Sequence, residues 1–155
     1  MPPTSAGLLL YRIRANNLEV LLVHPGGPFF KNKDEGAWSI PKGEVATDED
    51  PLACAKREFQ EELGAGPPDG PAVPLKPIKQ KGGKVVQAWA IAGDCDTANF
   101  VSNTFEIEWP PRSGRRAEFP EIDRAEFFAV DVAKTKINPA QAAFIDELVE
   151  ILHSR

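Results

Sequence analysis

The sequence predicts an α/β (α+β) fold in which helices cover a mixed β-sheet. Three observations carry this prediction. Apolar, β-rich runs recur along the chain, among them AGLLLYRI, LEVLLVH, KVVQAWAIAG, TFEIEW and AEFFAVD. One helical segment interrupts these runs and a second closes the chain, without the strict strand–helix alternation of a doubly wound nucleotide-binding fold. With 155 residues, no internal repeat and no low-complexity tail, residues 1–155 read as one domain with enough chain for a hydrophobic core.

The elements follow in order. AGLLLYRI and LEVLLVH are almost continuously apolar, which predicts buried strands, and RANN between them offers Asn16-Asn17 as a hairpin turn. HPGGPFFKNKDEG is a loop by its glycines and prolines, with Phe29 and Phe30 exposed on it. AWSIP is a short strand that delivers the chain to Lys42-Gly43. A helix then begins with Asp50 as its N-cap and Pro51 at its first position, and Gly64 closes it. GAGPPDGP is a loop. LKPIKQ, KVVQAWAIAG, TFEIEW and AEFFAVD are further strands, with KGGK as a hairpin turn. In NPAQAAFIDELVEIL, Asn138 caps an amphipathic helix that carries Phe144, Leu148, Ile151 and Leu152 on one side.

Charge and cysteine content narrow the function. Acids outnumber bases 23 to 18, for a net charge of -5, and a nucleic-acid partner would need a basic footprint instead. An anionic small molecule stays compatible if a bound cation or a local basic cluster meets its charge. Cys54 and Cys95 are far apart and outside any C-x-x-C pattern, which suits reduced thiols in a cytoplasmic protein. The apolar run in MPPTSAGLLLYRIR is too short to span a bilayer and no basic segment precedes it, so neither a signal peptide nor a membrane partner is expected. His24 and His153 are too isolated for a zinc site or a catalytic triad.

The most informative stretch is PKGEVATDEDPLACAKREFQEELGA, Pro41 to Ala65, which gathers seven carboxylates. At about 100° per residue, Leu52, Ala55, Phe59 and Leu63 fall on one helical stripe. Glu58, Glu61 and Glu62, spaced i, i+3 and i+4, fall on another, and Arg57 lies four residues before Glu61. Like charges at that spacing cost a few tenths of a kcal/mol, roughly what Arg57 returns. Periodicity alone therefore fits a solvated charged face as well as a site for a hard divalent cation.

The wider spacing resembles, position for position, the Nudix box G-x5-E-x7-R-E-U-x-E-E-x-G-U, running from Gly43 through Glu49, Arg57-Glu58 and Glu61-Glu62 to Gly64-Ala65. Only Ala65 is smaller than the bulky residue usual at the last position. The resemblance implies a Nudix fold, an α/β/α sandwich around a mixed sheet with the box as loop-helix-loop. It also implies hydrolysis of a nucleoside diphosphate linked to another moiety, with Mg2+ or Mn2+ as cofactor. By matching positions, Glu58, Glu61 and Glu62 would be metal ligands and Gly43 would let the backbone approach the metal. Arg57 would orient a carboxylate, Glu49 would brace the loop, and one glutamate would act as general base. The family also leaves a homodimer open.

Outside the box, Glu121 in FPEIDRAEFF sits where Nudix enzymes often recruit one further carboxylate, although a solvated loop glutamate fits equally. Glu106 and Glu108 alternate with Phe105, Ile107 and Trp109, as on the wet face of a strand. Lys42 in PKG resembles the dinucleoside-polyphosphate and diphosphoinositol-polyphosphate branches, where a lysine would meet an additional phosphate. Arg112, Arg115 and Arg116 in WPPRSGRR form either a clamp for a long phosphate chain or a solvated loop. Trp38 and Trp89, flanked by strand residues, read as core. The substrate expected is a dinucleoside polyphosphate such as diadenosine tetraphosphate. The alternatives are a nucleoside triphosphate, ADP-ribose or a diphosphoinositol polyphosphate, and, from another class, a non-catalytic nucleotide-sensing module.

Overall fold

The structure, a computed structural model, describes residues 4–154. A long first strand, β1 (Thr4–Arg14), organises the sheet, followed by β2 (Asn17–Pro25), β3 (Lys42–Glu44), β4 (Val73–Pro74), β5 (Ile78–Lys79), β6 (Val85–Ala92), β7 (Thr104–Glu108), β8 (Arg116–Pro120) and β9 (Ile122–Ala129). The helices are α1 (Pro51–Leu63), α2 (Val130–Lys136) and α3 (Ala142–His153). The main sheet runs β4-β6-β1-β2-β9. β1 and β6 are parallel and the other pairs antiparallel, so the sheet is mixed as predicted.

The near-continuous apolarity of β1 and β2 has a simple cause: both of their faces are covered. Leu8, Leu10, Leu21 and Val23 pack with Cys54, Ala55, Phe59 and Leu63 of α1. Leu9, Tyr11, Val20 and Leu22 face the other way, into a second core with Ala133 of α2 and Phe144, Ile145 and Leu148 of α3. The result is the α/β/α sandwich.

One edge of β1 is shared between two partners, and this positions the site. Tyr11–Arg14 pair with β2, whereas Ser5–Gly7 pair with β3 through Glu44, Gly43 and Lys42. Residues between β2 and β3 fill the gap where these strands part. There Ser39 exchanges backbone hydrogen bonds with Val23 at 2.8 and 3.0 Å, and the Leu8 N–H donates to the Pro41 carbonyl at 3.2 Å.

Several local readings need correction. The hairpin turn is Ala15-Asn16, both left-handed at φ 51° and 65°, because Arg14 already pairs with Asn17. AWSIP is not a strand; Trp38 and Ser39 make only isolated bridges, to Ile137 and Val23. TFEIEW pairs with a strand not foreseen, RAEFP, as a two-stranded ribbon apart from the main sheet. The last strand ends at Ala129, and VDVAKTK turns into α2. The closing helix opens with a 3-10 turn, Pro139–Gln141, capped by Asn138.

Candidate active site

Helix α1 has the predicted boundaries. The Asp50 carboxylate accepts the Ala53 N–H at 3.0 Å, and Gly64 ends the helix in the left-handed region at φ 76°. With its apolar stripe buried against β1, the opposite stripe is turned toward β3. There the box residues meet.

Arg57 is the hub. Its guanidinium grips Glu49 with two hydrogen bonds, Nε to Oε2 at 2.8 Å and Nη2 to Oε1 at 3.0 Å, while Nη1 donates to Glu58 and Glu61, each at 3.0 Å. Glu49 also accepts the Ala46 N–H at 3.0 Å, so it ties the loop before the helix to Arg57. Those bonds hold the Glu49 carboxyl down at about 2 and raise the Arg57 guanidinium further.

Glu62 has the opposite environment. It is 9% exposed, and its Oε2 is buried without a hydrogen-bond partner. Burial, then the charges of Glu58 and Glu121, push its carboxyl up to about 8. Burial also raises Glu58, with Glu61 adding to it, and raises Glu121, again with Glu61 adding to it. Gly43 makes room for this crowding: a Cβ there would lie 2.0 Å from the Glu58 carboxyl carbon and 2.3 Å from both its oxygens.

Glu121 comes to this cluster on a different segment, placed by backbone bonds and by the Ile122 N–H, which donates to Ser102 Oγ at 3.1 Å. The Glu121 N–H donates to the Asn103 carbonyl at 2.8 Å and its carbonyl accepts the Gly26 N–H at 2.9 Å, while the Asn103 N–H reaches the Glu61 carbonyl at 2.9 Å. Lys42, half-buried on β3, faces the same space, where burial lowers its ammonium and Lys84 adds to the effect. Lys42, Glu62 and Glu121 line one cleft of about 290 Å³.

The arginines behave differently. Arg112 and Arg115 are exposed at the tip of the β7–β8 ribbon and do not line that cleft, and Arg116 is paired with Glu106. Glu108 accepts the N–H groups of Arg112 and Gly114, at 3.0 and 3.2 Å, so it shapes the ribbon tip. The tip reaches the loop after β2, where the Trp109 ring meets Phe29 edge to face at 5.6 Å. His24 is fully buried, with ring nitrogens 2.7 Å from Asp123 Oδ1 and from the Lys33 carbonyl. Trp38 is core, at 1% exposure, yet it also walls the cleft.

Four polar residues of the cleft were not picked out as site residues from sequence: Ser39, Gln80, Asn138 and Gln141. Gln141 had a signal. It sits three residues before Phe144, on the stripe that α3 buries, and a polar residue there demands partners.

A divalent cation suits these residues. Carboxylate oxygens are its preferred donors, the orphaned Glu62 Oε2 lacks a partner, and the mutual repulsion of Glu58, Glu62 and Glu121 would be relieved by positive charge. Among the described residues no three such side chains are already drawn into a metal-binding cluster, and Arg57 engages the Glu58 and Glu61 carboxylates.

The family model of the NUDIX domain matches residues 1–148. The chain belongs to the NUDIX family. With every polar position of the box present, it is a hydrolase of pyrophosphate bonds. Solved structures of similar fold include the Ap4A hydrolase of C. elegans in a binary complex, 20% identical over 99% of each chain with a TM-score of 0.68. The NUDIX domain of Shewanella oneidensis NrtR complexed with ADP ribose is 16% identical over 98% of this chain and 89% of that one, with a TM-score of 0.66. A mutT/nudix family protein from Listeria innocua is 15% identical, covering 99% and 96% of the two chains, with a TM-score of 0.63. No curated protein matches the chain. Among the described residues, no helix of this NUDIX protein is long and apolar enough to cross a membrane.

Proposed function

We propose that this protein is a metal-dependent pyrophosphohydrolase of a nucleoside diphosphate linked to another moiety, with dinucleoside polyphosphates such as diadenosine tetraphosphate as the favoured class. The observation that carries the reading is Glu62, a buried carboxylate with an orphaned oxygen, sharing a cleft with Glu121 and with Lys42. Glu58, Glu61 and Glu62 would hold the cation, Mg2+ or Mn2+, and Gly43 leaves room for their approach. That cation supplies Lewis-acid neutralisation of phosphate oxygens and lowers the pKa of bound water.

The chain's own residues do the rest. Arg57 fixes Glu58 and Glu61 in place, and Glu49 holds Arg57. Glu121, on the opposing segment and raised by burial, suits the acceptance of a proton from the attacking water. Lys42 meets a phosphate oxygen as a point charge. Arg112 and Arg115 meet the far end of a long phosphate chain, while Arg116 is committed to Glu106. The C. elegans Ap4A hydrolase and the NrtR domain with ADP ribose support a nucleotide substrate. The free thiols of Cys54 and Cys95, both raised to about 11 by burial, suit a reducing cytoplasm.

The test is product release from a nucleotide panel with Mg2+, comparing the native protein with Glu61→Gln. Diadenosine tetraphosphate should be split, and Glu61→Gln should slow this by roughly 10²-fold or more. Preference for a nucleoside triphosphate or ADP-ribose would keep the mechanism and replace the substrate. Turnover that survives both chelation and the substitution would overturn the mechanism.

A further inference from the structure

The same cleft is also lined by carboxamides, those of Gln80, Asn138 and Gln141, and backbone groups dictate which way each one faces. The Ile40 N–H can only donate, so the group it meets at 3.0 Å is the oxygen of the Gln141 amide. The Gln141 nitrogen must therefore point the other way. It donates to Ser39 Oγ at 3.1 Å and to the Gln80 amide at 2.9 Å, and the Gln80 atom it meets must be an acceptor, Oε1. Gln141 itself is 1% exposed, so it has no freedom to turn. At Asn138 the same logic applies in one step, because its Oδ1 accepts the Ala140 N–H at 3.0 Å. The Ser39 hydroxyl spends its proton on the Ile40 carbonyl at 2.7 Å.

What is left over has one polarity. The Gln80 and Asn138 amide nitrogens have no protein partner among the described residues, yet neither is sealed from solvent, and both residues line the cleft. Two hydrogen-bond donors of fixed orientation thus stand beside aromatic walls, the core ring of Trp38 and the partly exposed ring of Phe30. A flat heterocycle with an acceptor-rich edge fits such a site.

We propose that this cleft takes a nucleobase of the substrate by its acceptor edge and prefers a 6-oxopurine to a 6-aminopurine. A 6-oxopurine of the guanine type presents two neighbouring acceptors, N7 and O6, whereas adenine presents an acceptor and a donor. The amino group would set donor against donor and leave both unpaired, a mismatch that polar sites reject strongly. The inference rests on the proposed nucleotide substrate. Among dinucleoside polyphosphates, it ranks those with a 6-oxopurine at one end ahead of diadenosine tetraphosphate, which is still split but held more weakly.

The test is calorimetric binding of IMP and AMP, neither of which has a phosphoanhydride to break. IMP should bind about tenfold tighter or better. Gln80→Leu, at a half-buried hairpin position, is the variant whose folding is safe, and its IMP to AMP ratio should fall toward one. Equal affinities in the native protein, tighter AMP, or a ratio unmoved by Gln80→Leu would each overturn the proposal. If nucleotides are still hydrolysed under those outcomes, only the base preference fails. If neither mononucleotide binds and turnover is confined to a non-nucleoside diphosphate, the nucleotide reading fails with it.

Discussion

Gly43 and the Glu58 carboxylate compete for the same space, which makes one hydrogen-sized side chain a condition of the site. A Cβ at residue 43 would stand 2.3 Å from both Glu58 oxygens, far inside contact distance. Gly43 does not have the positive φ that eight other glycines show, so the backbone itself accepts alanine and the only penalty is steric. Gly43→Ala should therefore displace Glu58 and cut turnover by on the order of 10²-fold, the cost typical of an ångström-scale misplacement. Its thermal midpoint should stay close to native, as a melting curve run beside the activity assay would check. A midpoint that falls with the activity would point to a folding role instead. At this scale the sequence was partly legible. Spacing alone showed that Arg57 reaches Glu61, and the structure adds Glu49 and Glu58 to its partners. The polar residue on the buried stripe flagged Gln141, but its partners and those of Ser39 were not legible, because they lie about 100 and 60 residues away along the chain, contacts that no local pattern encodes.

Helix α1, bounded by local capping signals, was read correctly, and a strand recognisable only beside its partner was missed. Asp50, Pro51 and Gly64 bounded α1 because capping chemistry is local. RAEFP was missed since its alternation makes sense only beside TFEIEW, where Phe105 opposes Phe119 and Ile107 opposes Ala117. The tip of that ribbon stands outside the cleft, with Arg112 and Arg115 exposed and unpaired in side chain among the described residues. A long phosphate chain would reach them and a short one would not. Charge reversal at Arg115, as Arg115→Glu, should thus raise KM for a dinucleoside tetraphosphate several-fold and leave ADP-ribose turnover unchanged. An equal loss on both substrates would place the ribbon's influence in the cleft itself, and no loss on either would return the arginines to plain solvated charge.

For the whole molecule, the carboxylates that suit a cation should make the metal-free protein less stable as pH rises. In the unfolded chain a glutamate titrates near about 4.3, whereas folding moves Glu62 to about 8. Below the lower value both states hold the proton and Glu62 has no effect on the pH slope. Between the two values the folded state keeps a proton that the unfolded state has released, so stability falls with rising pH until Glu62 ionises in the fold as well. Glu58 and Glu121, also raised, act in the same direction. Glu49 acts oppositely but in a separate acid window: its carboxyl, held at about 2, stabilises the fold above the unfolded value and loses that contribution as pH falls toward about 2. A cation bound to the ionised cluster removes the repulsion and stabilises only the folded state. The gap in melting temperature between Mg2+-loaded and chelated protein should consequently widen from pH 5.5 to pH 8.5. In Glu62→Gln the chelated protein should show a flatter slope over the same range, since the largest of the shifted groups no longer titrates. A gap that is constant with pH, or a slope unchanged by the substitution, would mean that the acidic cluster is not where the cation binds.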